Sequence, residues 1–199
     1  MPTDTFAISS AANDGSCYKQ GSTWPPTTFA VDDGVDQYAT KIKIGSTYFA
    51  DVSCLRFDTS SIPDTATITA ANLLIDVIAK ADDDTTFSLV GEYYDFGGEP
   101  SDSTDWKETA SPQILSVDIG SITAGAVNSI PLTDLSGINK TGITGIRLTL
   151  SAGTPTGQNG VHYAAQEHTT RQEARLEVTY TVAGGGAVTR TFSLLGVGS

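Results

Sequence analysis

The sequence predicts an all-β protein, a sandwich or barrel of ten or so short antiparallel strands. Three observations carry that prediction. Ser and Thr together number 47 of 199 residues and Gly 20, with only 6 Lys. Thr suits a pleated surface, while Ser and Gly suit turns. Apolar residues recur at a period of two, and no eleven-residue window holds the helical period. Polar turn clusters then separate the apolar runs at intervals typical of all-β domains.

Taken in order, the strands are expected at 6–10, 38–44, 48–57, 68–78, 87–94, 114–119, 129–132, 145–150, 161–165 and 175–180. The clusters Asn13-Asp14-Gly15, Asp32-Asp33-Gly34, Asp82-Asp83-Asp84, Phe96-Gly97-Gly98 and 157–160 punctuate them. The alternation is cleanest at 175–180, where Leu176, Val178 and Tyr180 face inward and Arg175, Glu177 and Thr179 outward. It recurs at 145–150, with Ile146, Leu148 and Leu150 inward and Arg147 and Thr149 outward. Residues 73–78 are apolar on both faces except at Asp76, which suits a central strand covered on both sides. No repeat of 20–50 residues is present, so solenoids and propellers are disfavoured.

Length fits one domain that buries a core without staples. The formal charge is −12 and the basic residues are scattered singly apart from Lys41 and Lys43. Phosphate neutralisation supplies most nucleic-acid affinity, so no nucleic-acid partner is expected, and an anionic membrane would repel the surface. No basic-then-apolar leader opens the chain, and Leu73-Leu74-Ile75 is far too short to span a bilayer, so the expected site of synthesis is a cytosol. Cys17 and Cys54 read as two free, partly buried thiols; a bridge requires neighbouring strands.

Few residues suggest chemistry. His162 and His168 carry no metal spacing and read as surface or core-edge residues. No GxSxG elbow is present, and nothing in the spacing of 23 acids selects a catalytic pair, so no enzyme and no cofactor is expected. Asp32, Asp33 and Asp36 bring hard oxygen ligands together, as do Asp82, Asp83 and Asp84. Either a structural calcium ion or a solvated turn accounts for them. Trp24, Tyr94 and Trp106 lie in or beside turns, where they form a sugar-binding platform or plug the ends of the sandwich.

The C-terminus divides from the rest. Residues 1–182 form the expected domain. Residues 183–199 are a Gly-rich joint followed by an apolar arm, in which Val188, Arg190, Phe192, Leu194 and Leu195 are the candidate docking residues. Such an arm packs as a last strand on its own domain, or adds to a neighbouring subunit.

The stretch LRFDTSSIPDTATITAANLL at 55–74 resembles the signature of the DNRLRE-type jelly-roll domains. The stretch GVHYAAQEHTTRQEARLEVTY at 160–180 resembles that family's ending, with Ala174 where a proline is usual. The resemblance spans 6–182 and implies an antiparallel jelly-roll β-sandwich with a short C-terminal extension. Within the first stretch Leu55 and Phe57 alternate inward and Ile68, Ala70 and Leu73 restart the core, so these read as structural, with Arg56 on the opposite face, where it pairs with a carboxylate or lies in a groove. Such domains resemble carbohydrate-binding modules. The opening 7–27 and the segment 92–96 look closer to stand-alone proteins encoded among tailed-phage structural genes. The resemblance therefore implies a bacteriophage virion structural protein, foremost a capsid decoration or cement protein. Its partners would be the major capsid protein or tail proteins, and a homo-oligomer is compatible with it. The alternative is a carbohydrate-binding, host-adhesion module, tail-associated or free.

Overall fold

A computed structural model describes residues 1–32, 36–97 and 102–182, and twelve strands lie among them. In chain order they are β1 (Thr3–Ala7), β2 (Asp14–Gly21), β3 (Thr28–Asp32), β4 (Asp36–Ile44), β5 (Thr47–Asp58) and β6 (Ala66–Asp82). They continue as β7 (Ser88–Tyr93), β8 (Leu115–Asp118), β9 (Ala126–Pro131), β10 (Ile143–Leu150), β11 (Gln158–Ala164) and β12 (Arg175–Val182). Among the described residues no helix is long and apolar enough to cross a membrane.

Each pairing given for the sheet is antiparallel, and its order is β1-β12-β6-β11-β4-β5-β10-β7-β8. Strands β2 and β3 extend it from β5, and β9 pairs with the free edge of β6. Two long strands fold this sheet over. One edge of β5 pairs with β4 at residues 47–51 and with β10 at 53–58. One edge of β6 pairs with β12 at 66–74 and with β11 at 77–82. Each thus hands the chain from one layer to the next, and the result is an all-β, jelly-roll-like sandwich.

The core joins the layers. Leu55 and Phe57 of β5, Ile146 and Leu148 of β10, Leu73 and Ile75 of β6, and Leu176 and Val178 of β12 belong to one buried cluster. These are the inward positions the period of two assigns. The turn after β5 is built as its sequence suggests: Ser60 donates to the Asp58 carboxylate through its N–H at 3.1 Å and its hydroxyl at 2.6 Å.

Three features differ from the sequence reading. Strands β2 and β3 were not expected, because β2 opens on Asp14-Gly15, a turn pair, and its polar residues hide the alternation. Arg147 and Thr149, assigned to the outer face, are buried; over Arg147 crosses the segment 102–112, whose Asp105 carbonyl accepts from its guanidinium. The C-terminal arm, with Val188, Arg190, Phe192, Leu194 and Leu195, lies outside the described residues.

Candidate functional site

Strand β4 alternates apolar and polar residues, with Tyr38, Ile42 and Ile44 on one face and Lys41 and Lys43 on the other. Binary patterning would turn the lysines outward. The fold does the reverse. Lys41 is fully buried, while Ile44 is 58% exposed. The Lys41 ammonium donates to the Ser151 carbonyl at 2.9 Å and lies 5.2 Å from the Trp24 ring centre and 5.8 Å from that of Phe87. Burial pushes its pKa down to about 8.

The outward face of β4 is the floor of a groove. A two-residue turn, with Gly45 at φ +59°, returns the chain into β5 and sets Ile42 opposite Phe49 and Thr40 opposite Asp51. Left-handed backbone of this kind favours glycine. Tyr18 of β2 stands opposite Asp51 from the other side. These residues enclose about 300 Å³. A second hollow of about 270 Å³ shares Tyr38, Thr40 and Ile42 and continues across Gly160 and His162 to Ala79 and Ala81 of β6. A side chain at Gly160 would collide with the Ala39 carbonyl and Thr40, so only glycine lets β11 lie this close to β4.

Polar groups punctuate the groove. The Thr40 hydroxyl donates to the Asp51 carboxylate. The His162 ring stacks on Tyr38 with centres 4.6 Å apart and planes 16° apart. At that end Asp36 lies between two imidazoles, 2.9 Å from His162 Nε2 and 3.8 Å from His168 Nε2. His168 Nδ1 accepts from the Arg171 N–H at 3.2 Å and the Thr170 N–H at 3.3 Å, which directs an Nε2–H toward Asp36.

The aromatic residues singled out in the sequence lie elsewhere. Tyr94 and Trp106 meet through the covering segment 102–112. The Tyr94 hydroxyl donates to Asp105 at 2.7 Å, and its ring lies 3.9 Å from the Arg147 guanidinium. Trp106 donates from its indole to the Ala50 carbonyl at 2.9 Å, with Lys19 4.1 Å above the ring. Trp24 packs on Tyr48, with ring centres 5.8 Å apart. All three are half-buried and engaged by their own chain. Of the acidic trio, Asp33 lies outside the described residues, Asp32 ends β3, and Asp36 faces the histidines. Among the described residues no cluster of three His, Cys, Asp or Glu is set to hold a metal ion. Asp83 and Asp84 instead satisfy turn N–H groups: Gln158 donates to Asp83 and Thr156 to Asp84, each at 2.8 Å.

The groove itself was missed. Its signal was the pattern of β4, which looks like an ordinary core strand until the placement of Lys41 is known. Searches of protein-family models and of curated proteins find no match for this chain.

Proposed function

We propose that this protein is a virion structural protein of a tailed bacteriophage, a jelly-roll module seated on the capsid as a decoration or cement protein. The carrying observation is the inversion of β4, which buries Lys41 and leaves Tyr38, Ile42 and Ile44 facing outward. An exposed apolar face of this kind is a contact surface, and it acts through area rather than chemistry. The resemblance of residues 55–74 and 160–180 to DNRLRE-type domains, and of 7–27 to stand-alone phage proteins, supplies the context. The apolar arm at 183–199 supplies a second contact, directed at a neighbouring subunit. Partners are then the major capsid protein or tail proteins, and the protein resides in the particle.

Quantitative mass spectrometry of purified particles tests this reading, with the major capsid protein as reference. Hundreds of copies per particle are expected. A few copies would move the protein to the tail, and none would remove it from the virion.

A second reading has its own observation. Tyr18, Tyr38 and Phe49 line an open groove beside Thr40, Asp51 and His162, which suits a neutral oligosaccharide on a host surface. Titration with oligosaccharides followed by NMR tests it, with binding lost in Tyr38→Ala.

A further inference from the structure

We infer that the groove on β4 receives the C-terminal arm of a second copy of this chain. The inference rests on the docking-arm part of the proposed function and is independent of where in a particle the protein sits. Three observations point to that occupant.

The first is pattern. In the sequence Val188, Arg190, Phe192 and Leu194 alternate with Thr189, Thr191 and Ser193, so an extended arm presents Val, Arg, Phe and Leu on one face. The groove floor along β4 reads Tyr38, Thr40, Ile42, Ile44, with Asp51 beside Thr40. Both rows span six residue steps, about 20 Å. Each has its single polar position second. Laid parallel, Val188 falls on Tyr38, Arg190 on Thr40 and Asp51, Phe192 on Ile42 and Leu194 on Ile44.

The second is charge. Arg190 is the lone charged side chain between residues 183 and 199, in a chain whose net charge is −12. The carboxylate at its matching position is Asp51, and a guanidinium there complements it.

The third is reach. Val182 pairs with Ala66 at the start of β6, whereas the near end of the groove lies at Ala79 of the same strand. Thirteen residues of strand separate them, about 43 Å along β6. Val188 stands six residues past Val182 and reaches at most about 21 Å. Along this path Val188 falls about 20 Å short of its own groove, which assigns the groove the arm fills to a neighbour. Such a head-to-tail exchange closes into a ring or continues along a lattice.

Full-length protein, a form lacking residues 187–199, and the full-length variants Ile44→Asp and Tyr38→Ser are compared by light scattering over a concentration series. A labelled peptide of residues 183–199 is titrated onto the shortened form. Self-association of the full-length chain is expected, lost in the shortened form and in both variants, with unchanged thermal melting. The peptide is expected to bind the shortened form, about tenfold more weakly with Arg190→Glu, and not to bind when Ile44→Asp is present. If Ile44→Asp melts early, Tyr38→Ser and the peptide titration decide. Association that needs the arm but survives both groove variants would place the arm elsewhere on the neighbour and overturn the inference, leaving the docking arm standing. A full-length chain that stays monomeric, with a peptide that does not bind, would overturn the inference outright. Particle incorporation of the shortened form then decides separately whether the arm grips a different protein. Oligosaccharide binding in the groove without peptide binding would give it to a glycan.

Discussion

Arg147 and Glu92 stand directly opposite each other on β10 and β7, both buried, and the Arg147 guanidinium donates twice to one Glu92 oxygen, with its Nε at 2.9 Å. The other Glu92 oxygen accepts from Lys107 at 2.6 Å and from the Ser111 N–H at 2.9 Å. Arg147 also donates to the Asp105 carbonyl at 2.8 Å. The pair therefore pins residues 102–112 onto the sheet, and with them Tyr94 and Trp106.

Glu92→Gln is expected to destabilise the fold by about 3–5 kcal/mol, because it strands a buried guanidinium. Urea denaturation measures it. Burial works to raise the Glu92 pKa, but Lys107, Ser111 and Arg147 hold it below the usual 4.5. The folded pKa lies below the unfolded one, so this contribution is complete above about pH 4.5 and fades as pH falls further. The gap between wild type and variant should narrow on acidification. A gap that widens in acid would contradict the assignment.

Lys41 gives the opposite pH dependence. Its folded pKa is lowered to about 8 from 10.5. Between those values the unfolded chain binds a proton that the folded chain does not, so raising the pH favours the folded state. The interval corresponds to about 3 kcal/mol. Wild type is expected to gain about that much over Lys41→Met between pH 8 and 10.5. Equal slopes for the two proteins over that range would show that Lys41 is not desolvated. Comparison with the variant is necessary because burial raises the Cys17 and Tyr163 pKa values, which lowers stability at high pH.

How far the sequence was legible follows from what each position depends on. Leu176, Val178, Ile146 and Leu148 could be placed from alternation alone, because each strand shows one face to a core that any sandwich must have. Arg56 was readable as facing away from that core, and it meets Asp95 at 2.8 Å. Thr149, Arg147 and Lys41 were not readable. The surroundings of Arg147 come from residues 102–112, and those of Lys41 from Ser151, Phe87 and Trp24, each distant from it in sequence. The groove depends on the burial of Lys41, so the alternation of β4 marks it only once that placement is known.

Cys17 and Cys54 occupy neighbouring strands, with Cys17 opposite Val52 and Cys54 opposite Gly15, and both are buried thiols not joined in a disulfide. Burial, with Asp105 adding, pushes the Cys17 thiol up to about 12. At pH 8 its thiolate fraction is then about one in ten thousand, and the thiolate is the reactive form. Native protein is expected to resist an aromatic disulfide reagent, with both thiols reacting after denaturation in urea. Rapid titration of one thiol in the native state would show that β2 separates easily from β5.

Removal of residues 187–199 is expected to leave a folded protein that no longer joins particles. The described core is complete without the arm: Tyr180, the last large apolar residue of β12, is buried, and Val182 is already 38% exposed. Thermal melting of the shortened form should match the full-length protein within a few degrees, since surface changes away from the core cost little. Its incorporation, followed by mass spectrometry of particles from a complemented deletion, should fall at least about tenfold, the loss of about 1.4 kcal/mol of binding per copy. Restoring the arm with Phe192→Ser and Leu194→Ser should not rescue incorporation, because the apolar side chains make the contact. Incorporation at full level by the shortened form would show that the sandwich alone carries attachment, and would leave the outward face of β4 as the surface to examine next.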